Sequence, residues 1–154
     1  MNKSQPNRLS WEEYALTIAK AASLRSQDPY MKVGACALNK ENMVLGLGYN
    51  GLASGAEPTE DFWSDRDNRR KYMIHAEANC MSLFKKGEAK LIAVTLLPCS
   101  YCATMIAAYG IPLVVYSEEY ERDVQAREIF NYYKIELKIF LYLKPNLLWK
   151  PFQM

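Results

Sequence analysis

Leu91-Ile92-Ala93-Val94-Thr95-Leu96-Leu97-Pro98-Cys99-Ser100-Tyr101-Cys102-Ala103 is the stretch that decides how this chain folds. Its first seven residues are apolar or β-branched and read as a strand buried on both faces. Pro98 suits the opening of a helix, where its fixed φ is pre-organised and its missing N–H is not needed. That helix runs to about Tyr109, and Gly110 ends it. A second short apolar run, Leu113 to Tyr116, follows as a strand. Two strands joined by a helical crossover must lie parallel. Further outward, Glu119 to Asn131 looks helical, with three acids near its start, and Ile135 to Phe140 is the last strand. A Pro-punctuated tail closes the chain.

On the other side, Ser10-Trp11-Glu12-Glu13 is a capping box with Ser10 as N-cap. The helix it opens sets Trp11, Ala15, Ile18, Ala19 and Ala22 on one side, and Asp28-Pro29 stops it. Val33 to Asn39 and Met43 to Tyr49 are apolar runs joined by the polar turn Asn39-Lys40-Glu41-Asn42, which reads as a β-hairpin. Gly51 to Arg70 has no periodicity and carries Gly, Pro and many charges. A loop that long is usually functional or disordered. Met73 to Phe84 then reads as a helix ending before Lys85-Lys86-Gly87. The expected architecture is α/β: one domain over residues 1–154, a three-layer α/β/α sandwich around a five-stranded mixed sheet that begins with an antiparallel hairpin.

Composition narrows the function classes. The chain has 154 residues, half of them hydrophobic, and a formal net charge of +2. That is enough chain for a full core, and too little charge to suggest a nucleic-acid surface. The polar first ten residues and the absence of a long apolar run argue against a signal peptide or membrane partner. Four unevenly spaced cysteines suit a reducing compartment, so the expected location is cytoplasmic.

The chemistry centres on His75-Ala76-Glu77 and Pro98-Cys99-Ser100-Tyr101-Cys102. They use the only histidine and two of the four cysteines. One imidazole and two thiolates can hold tetrahedral zinc with its fourth position open, as in catalytic rather than structural sites. Both motifs fall on the first turns of helices, whose dipoles favour the negative charge of thiolates. A carboxylate at Glu77 could take a proton from water and pass it on. The pattern H-x-E with P-C-x-x-C matches the signature of zinc-dependent nucleobase deaminases. A lone C-x-x-C could instead be a redox pair or half of a structural zinc site, but no second pair or histidine completes one. Cys36 and Cys80 lie in apolar runs and read as ordinary buried thiols.

With these motifs in place, the chain resembles the cytidine deaminase superfamily, and within it the deoxycytidylate deaminase branch, from about Trp11 to Phe140. The segments that carry the resemblance are Arg25-Ser26-Gln27-Asp28-Pro29, Val33-Gly34-Ala35-Cys36, Gly48-Tyr49-Asn50-Gly51, His75-Ala76-Glu77-Ala78-Asn79 and Pro98 to Ala103. Val115-Tyr116-Ser117-Glu118-Glu119-Tyr120 also fits. The resemblance implies hydrolytic deamination of dCMP to dUMP, with Zn2+ on His75, Cys99 and Cys102 and Glu77 as the catalytic acid–base. It further implies that Asn50 contacts the deoxyribose hydroxyl, that the backbone at Ala76 and Glu77 holds the pyrimidine edge, and that Arg25 and Ser26 take the 5′-phosphate. Tyr120 would close the pocket. Arg25 could also be a helix-end cation, Tyr120 a core residue, and Asn50 a turn residue.

Members of this branch are commonly homohexamers activated by dCTP and inhibited by dTTP, with Mg2+ accompanying the triphosphate. The resemblance puts the effector loop at Gly51 and Gly55. Here the chain departs from the pattern. Leu52-Ala53-Ser54-Gly55-Ala56-Glu57-Pro58 keeps the glycine but lacks the proline the family places at Ala53. Competing readings are a tRNA adenosine deaminase, which would show a basic surface, and an inactive zinc-stabilised interaction domain, which would have lost Glu77. A free-nucleoside cytidine deaminase would lack the helix between the last two strands.

Overall fold

The computed structural model describes residues 8–141. In chain order its elements are α1 (Trp11–Ser23), β1 (Gly34–Leu38), β2 (Val44–Tyr49), a 3-10 turn (Glu60–Phe62), α2 (Arg66–Tyr72), α3 (Ala76–Met81), β3 (Leu91–Leu96), α4 (Ser100–Ala108), β4 (Leu113–Glu118), α5 (Gln125–Tyr132) and β5 (Glu136–Ile139). The five strands form one sheet in the order β2-β1-β3-β4-β5. β1 is antiparallel to β2 and β3, whereas β3, β4 and β5 run parallel. A helix lies between each pair of parallel strands, as a helical crossover requires, and β5 does not turn back as a hairpin.

Alternation along the strands builds the layers. Ala35, Ala37, Ile92, Val94, Val114 and Tyr116 point to one face and meet Cys80, Met81, Ala103, Ile106, Ala126 and Phe130 from α3, α4 and α5. Cys36, Leu38, Leu91, Ala93 and Val115 point to the other face and meet Ala15, Leu16 and Ala19 of α1. Period-two side chains on a sheet covered on both sides require this division. It also explains why both sets read as continuous apolar runs.

Several boundaries move. The capping box forms in full, with the Glu13 amide donating to Ser10 Oγ and the Ser10 amide to the Glu13 carboxylate. α1 stops at Ser23 rather than at Asp28-Pro29, and its buried line is Ala15, Leu16, Ala19 and Ser23, with Trp11 largely exposed. β1 passes close against the last turns of the helix: a Cβ on Gly34 would lie 1.8 Å from the Ala19 carbonyl and 2.7 Å from the Ser23 amide. The segment read as a structureless loop contains α2, capped by Asp65, whose carboxylate accepts the Asp67 and Asn68 amides. The helix read from Met73 begins only at Ala76, because Ile74 pairs with Gly51 in an antiparallel bridge. Glu119, Glu121 and Asp123 precede α5 rather than opening it. The Pro-punctuated tail lies outside the described residues.

Candidate active site

His75 is the N-cap of α3, with ψ at 152°, and Cys99 is the N-cap of α4. Cys102 sits one turn further into α4. His75 Nδ1 lies 3.5 Å from Cys99 Sγ and 3.3 Å from Cys102 Sγ. All three donor atoms fall within 4.8 Å of one another. Tetrahedral zinc with Zn–S near 2.3 Å and Zn–N near 2.0 Å would hold sulfur and nitrogen roughly 3.6 Å apart, so the set fits that ion. The cluster grades from solvent inward: His75 is exposed, Cys99 half-buried and Cys102 fully buried. One side is thus left open to a fourth partner.

Glu77 lies under the cluster, 4% exposed, and accepts the Cys102 thiol at 3.2 Å. Burial raises its pKa above the ordinary carboxylate value, since desolvation disfavours the charged form. Cys99 is held down to about 4, chiefly by the hydrogen bond from Cys102, with His75 adding to it. Cys102 is pushed up by sharing that hydrogen bond, by burial and by the Glu77 carboxylate. His75 is raised by its contact with Cys99. The remaining cysteines are of another kind. Cys36 and Cys80 are fully buried, and desolvation pushes Cys36 up to about 12, as expected of inert core thiols.

The pocket above the cluster is lined by Met31, Val33, Asn50, Ala76, Leu96, Leu97 and Tyr120, with His75, Glu77 and Cys99 at its floor. Asn50 secures one wall: its Oδ1 accepts the Val33 amide and its Nδ2 donates to the Met31 carbonyl, both at 2.8 Å. Tyr120 lines the pocket and also packs against the core. Ala76 is buried at the start of α3 and faces the pocket.

Arg25 and Ser26 are not brought to this pocket. Ser26 is 3% exposed, and its hydroxyl donates to the Asn50 carbonyl, so it braces that loop from behind. Arg25 is exposed in the turn after α1, its amide closing on Ala22, and it lines neither the pocket nor the cleft beside it. Gly51 bridges to Ile74 next to His75, and Gly55 turns the loop with φ at +87°.

Sequence reasoning missed Asp123. Its Oδ2 accepts the Ser100 amide at 2.6 Å, tying the segment that carries Tyr120 to the helix that carries both cysteines. A carboxylate on an orphan amide of a helix start is a cap supplied from a distant part of the chain. Only the tertiary structure reveals it.

The model of the cytidine and deoxycytidylate deaminase zinc-binding region matches residues 9–118. The human deoxycytidylate deaminase is 31% identical over 150 residues, covering 90% of this chain and 84% of the human protein. The mouse deoxycytidylate deaminase is 34% identical over 140 residues, covering 84% and 79% respectively. Among solved structures, the dCMP deaminase of cyanophage S-TIM5 in apo form superposes with a TM-score of 0.69 at 24% identity, over 84% of this chain and 96% of that one. The same enzyme in complex with dCMP and dUMP gives a TM-score of 0.64, over 84% and 93%. With the family model spanning most of the chain and the motif residues gathered at one pocket, this protein belongs to the cytidine and deoxycytidylate deaminase family.

Proposed function

We propose that this protein hydrolyses dCMP to dUMP, adding water across the N3=C4 bond of the cytosine and then breaking the bond from C4 to the amine, which leaves as ammonia. The observation that carries the reading is the open His75-Cys99-Cys102 donor set with Glu77 buried beneath it. The curated deoxycytidylate deaminases that align with most of the chain support the choice of substrate. When bound by these three residues, zinc supplies the Lewis acidity that makes a water molecule nucleophilic near neutral pH.

The chain's own residues do the rest. Glu77 takes a proton from the attacking water and delivers protons to the ring nitrogen and the departing amine. A carboxyl whose pKa is raised by burial suits both directions of transfer. Asn50, fixed through Met31 and Val33, stands where it can meet a sugar hydroxyl at the pocket wall. The first amides of α3, at Ala76 and Glu77, are free of helical partners and suit the pyrimidine edge. Leu96 and Leu97 give the base an apolar seat, and Tyr120 covers it. The protein should be assayed against dCMP, deoxycytidine and an adenosine-containing tRNA. Turnover of the tRNA with none of dCMP would refute the reading.

Assembly as a homohexamer, inhibited by dTTP and activated by dCTP with Mg2+, belongs to the same proposal. The exposed Val44 and Leu47 on edge strand β2, and Leu83 beyond α3, support subunit contact. The Gly51–Ile74 bridge supports the regulation, because it couples the loop around Gly55 to the residue beside His75. An effector acts only through its different affinity for two states. Sigmoidal dCMP saturation made hyperbolic by dCTP is expected; curves that superimpose with and without each triphosphate would rule the switch out. That none of the four cysteines is in a disulfide supports a reducing, cytoplasmic setting.

A further inference from the structure

A second, wider cleft adjoins the metal-ligand pocket, and Met31, Asn50, His75, Leu96 and Tyr120 line both. Arg66, Arg69 and Arg70 of α2 and Arg122 of the segment after β4 line this cleft. Residues at i, i+3 and i+4 share a helix face, so the three α2 arginines project together. Arg69 is locked in place, 15% exposed, paired with Asp28 at 3.3 Å and lying 4.2 Å over the Tyr30 ring. It neutralises Asp28 and anchors α2, while Asp65 caps the helix start.

The neighbours of Arg69 are unspent. Arg66, Arg70 and Arg122 are exposed, and none is in an ion pair among the described residues. Of the acids in the cleft, Asp28 is held by Arg69 and Glu119 by Arg127, leaving Glu118 and Glu121. Three free guanidiniums against two free carboxylates favour an anion, and the planar fork of arginine matches phosphate oxygens in pairs.

We propose that Arg66, Arg70 and Arg122 form the subsite for the 5′-phosphate of the nucleotide whose base enters the zinc-ligand pocket. This rests on the dCMP reading above and assigns its specificity to α2, in place of Arg25 and Ser26. Base and phosphate are read from two sides of the wall formed by Asn50 and Tyr120. Arg69 is a positioning residue, holding the helix at the angle from which its neighbours reach the cleft.

The test compares kcat/KM for dCMP and for deoxycytidine in the full-length, zinc-loaded protein and in Arg66→Ala, Arg70→Ala and Arg122→Ala. Each variant should lose on the order of tenfold to a hundredfold on dCMP, the usual effect of deleting a hydrogen bond to a charged group, and little on deoxycytidine. Inorganic phosphate should compete with dCMP in the wild type and weaken as an inhibitor in the variants. Equal losses on both substrates, or none, would overturn the subsite. So would variants that change the response to dCTP yet keep the ratio between substrates, since the arginines would then hold an effector. If an alanine variant loses its fold or its zinc, Arg→Gln substitutions take its place under the same criteria. A wild type that deaminates neither substrate would sink the dCMP reading. Calorimetry would then decide the subsite: dCMP must bind more tightly than deoxycytidine, and an unchanged gap in the variants overturns it.

Discussion

Gly48→Ala should cost this enzyme far more than one methyl group suggests. A Cβ at Gly48 would stand 2.2 Å from the Ala76 carbonyl oxygen and 2.5 Å from the Cys80 amide, both backbone atoms of α3. A rotamer change cannot relieve a clash with backbone, and the interior is too dense to absorb it. The helix must therefore retreat from β2 by about 1 Å to regain van der Waals contact. Two bonds that seat it, Asn79 Nδ2 to the Tyr49 carbonyl at 2.8 Å and the Cys80 thiol to the Gly46 carbonyl at 3.3 Å, would stretch together. The same movement carries His75 away from the cysteines of α4 and Glu77 away from the reacting atoms.

A displacement of that size at a catalytic group costs on the order of a hundredfold in rate. Overpacking should also destabilise the fold by about 1–3 kcal/mol, and each kcal/mol lowers Tm by roughly 2–4 °C in a domain of this size. Steady-state kinetics on dCMP, well below the variant's Tm and normalised to zinc content, separates the two effects. Gly51→Ala is the control, because its Cβ would meet only the Tyr49 ring at 3.7 Å, an ordinary contact. A Gly48→Ala enzyme with wild-type kcat/KM would refute the idea that α3 is seated through this glycine.

Glu77→Gln should keep zinc and bind dCMP, yet lose turnover by about a hundredfold to ten-thousandfold; near-normal kcat would mean another group moves the protons. Cys99→Ser should lose both metal and activity, while Cys36→Ser, at a buried site on the opposite face of the sheet, should keep both; full zinc by metal analysis in the Cys99 variant would contradict the ligand set. Asp123→Ala removes a carboxylate from an orphan amide of α4 and should cost about 1 kcal/mol at neutral pH. The Ser100 amide holds Asp123 below its ordinary pKa. A lowered folded value gives stability that is present above the unfolded pKa and lost as pH falls through the folded one. The gap in Tm between wild type and variant should therefore close below about pH 4, and a gap that persists in strong acid would argue against the link.

The sheet and the ligands were legible because each is over-specified. β3 is apolar on both faces since helices cover both, and Pro98 marks the change of periodicity. The three donors and Glu77 are chemically distinctive residues in two short motifs, at spacings one helix turn allows. α2 escaped notice for the opposite reason. It is polar all round, buries no residue, and is held by Asp65 and by Arg69 on Asp28, which is 41 positions away in sequence. Periodicity cannot reveal a helix without an apolar face. Its trace in the sequence was an N-capping aspartate ahead of arginines at one-turn spacing. Arg25 and Ser26 lie outside the pocket lining, because nearness in sequence to a pocket wall does not say which way a side chain faces.

Strand direction explains why the parts meet. β1 runs against both β2 and β3, so β2, β3 and β4 all point the same way and end along one edge of the sheet. Asn50 follows β2, Cys99 follows β3 and Tyr120 follows β4, so one edge supplies three sides of the pocket. The hairpin register, with Gly34 opposite Tyr49, brings the start of β1 to the same edge and sets Val33 beside Asn50. His75, with Ala76 and Glu77 after it, comes from the start of α3 instead, and its delivery depends on the helix starting late. Were residues 73–75 helical, Ile74 could not pair with Gly51, and His75 would turn about 100° per residue away from the sulfurs instead of ending an extended segment. The polar loop and α2 span the distance from Asn50 back to that segment. The same stretch that delivers the histidine to the metal ligands thus carries the arginines assigned to the phosphate. Under the proposed phosphate subsite, the single segment between β2 and α3 governs both where the base reacts and which nucleotide is admitted.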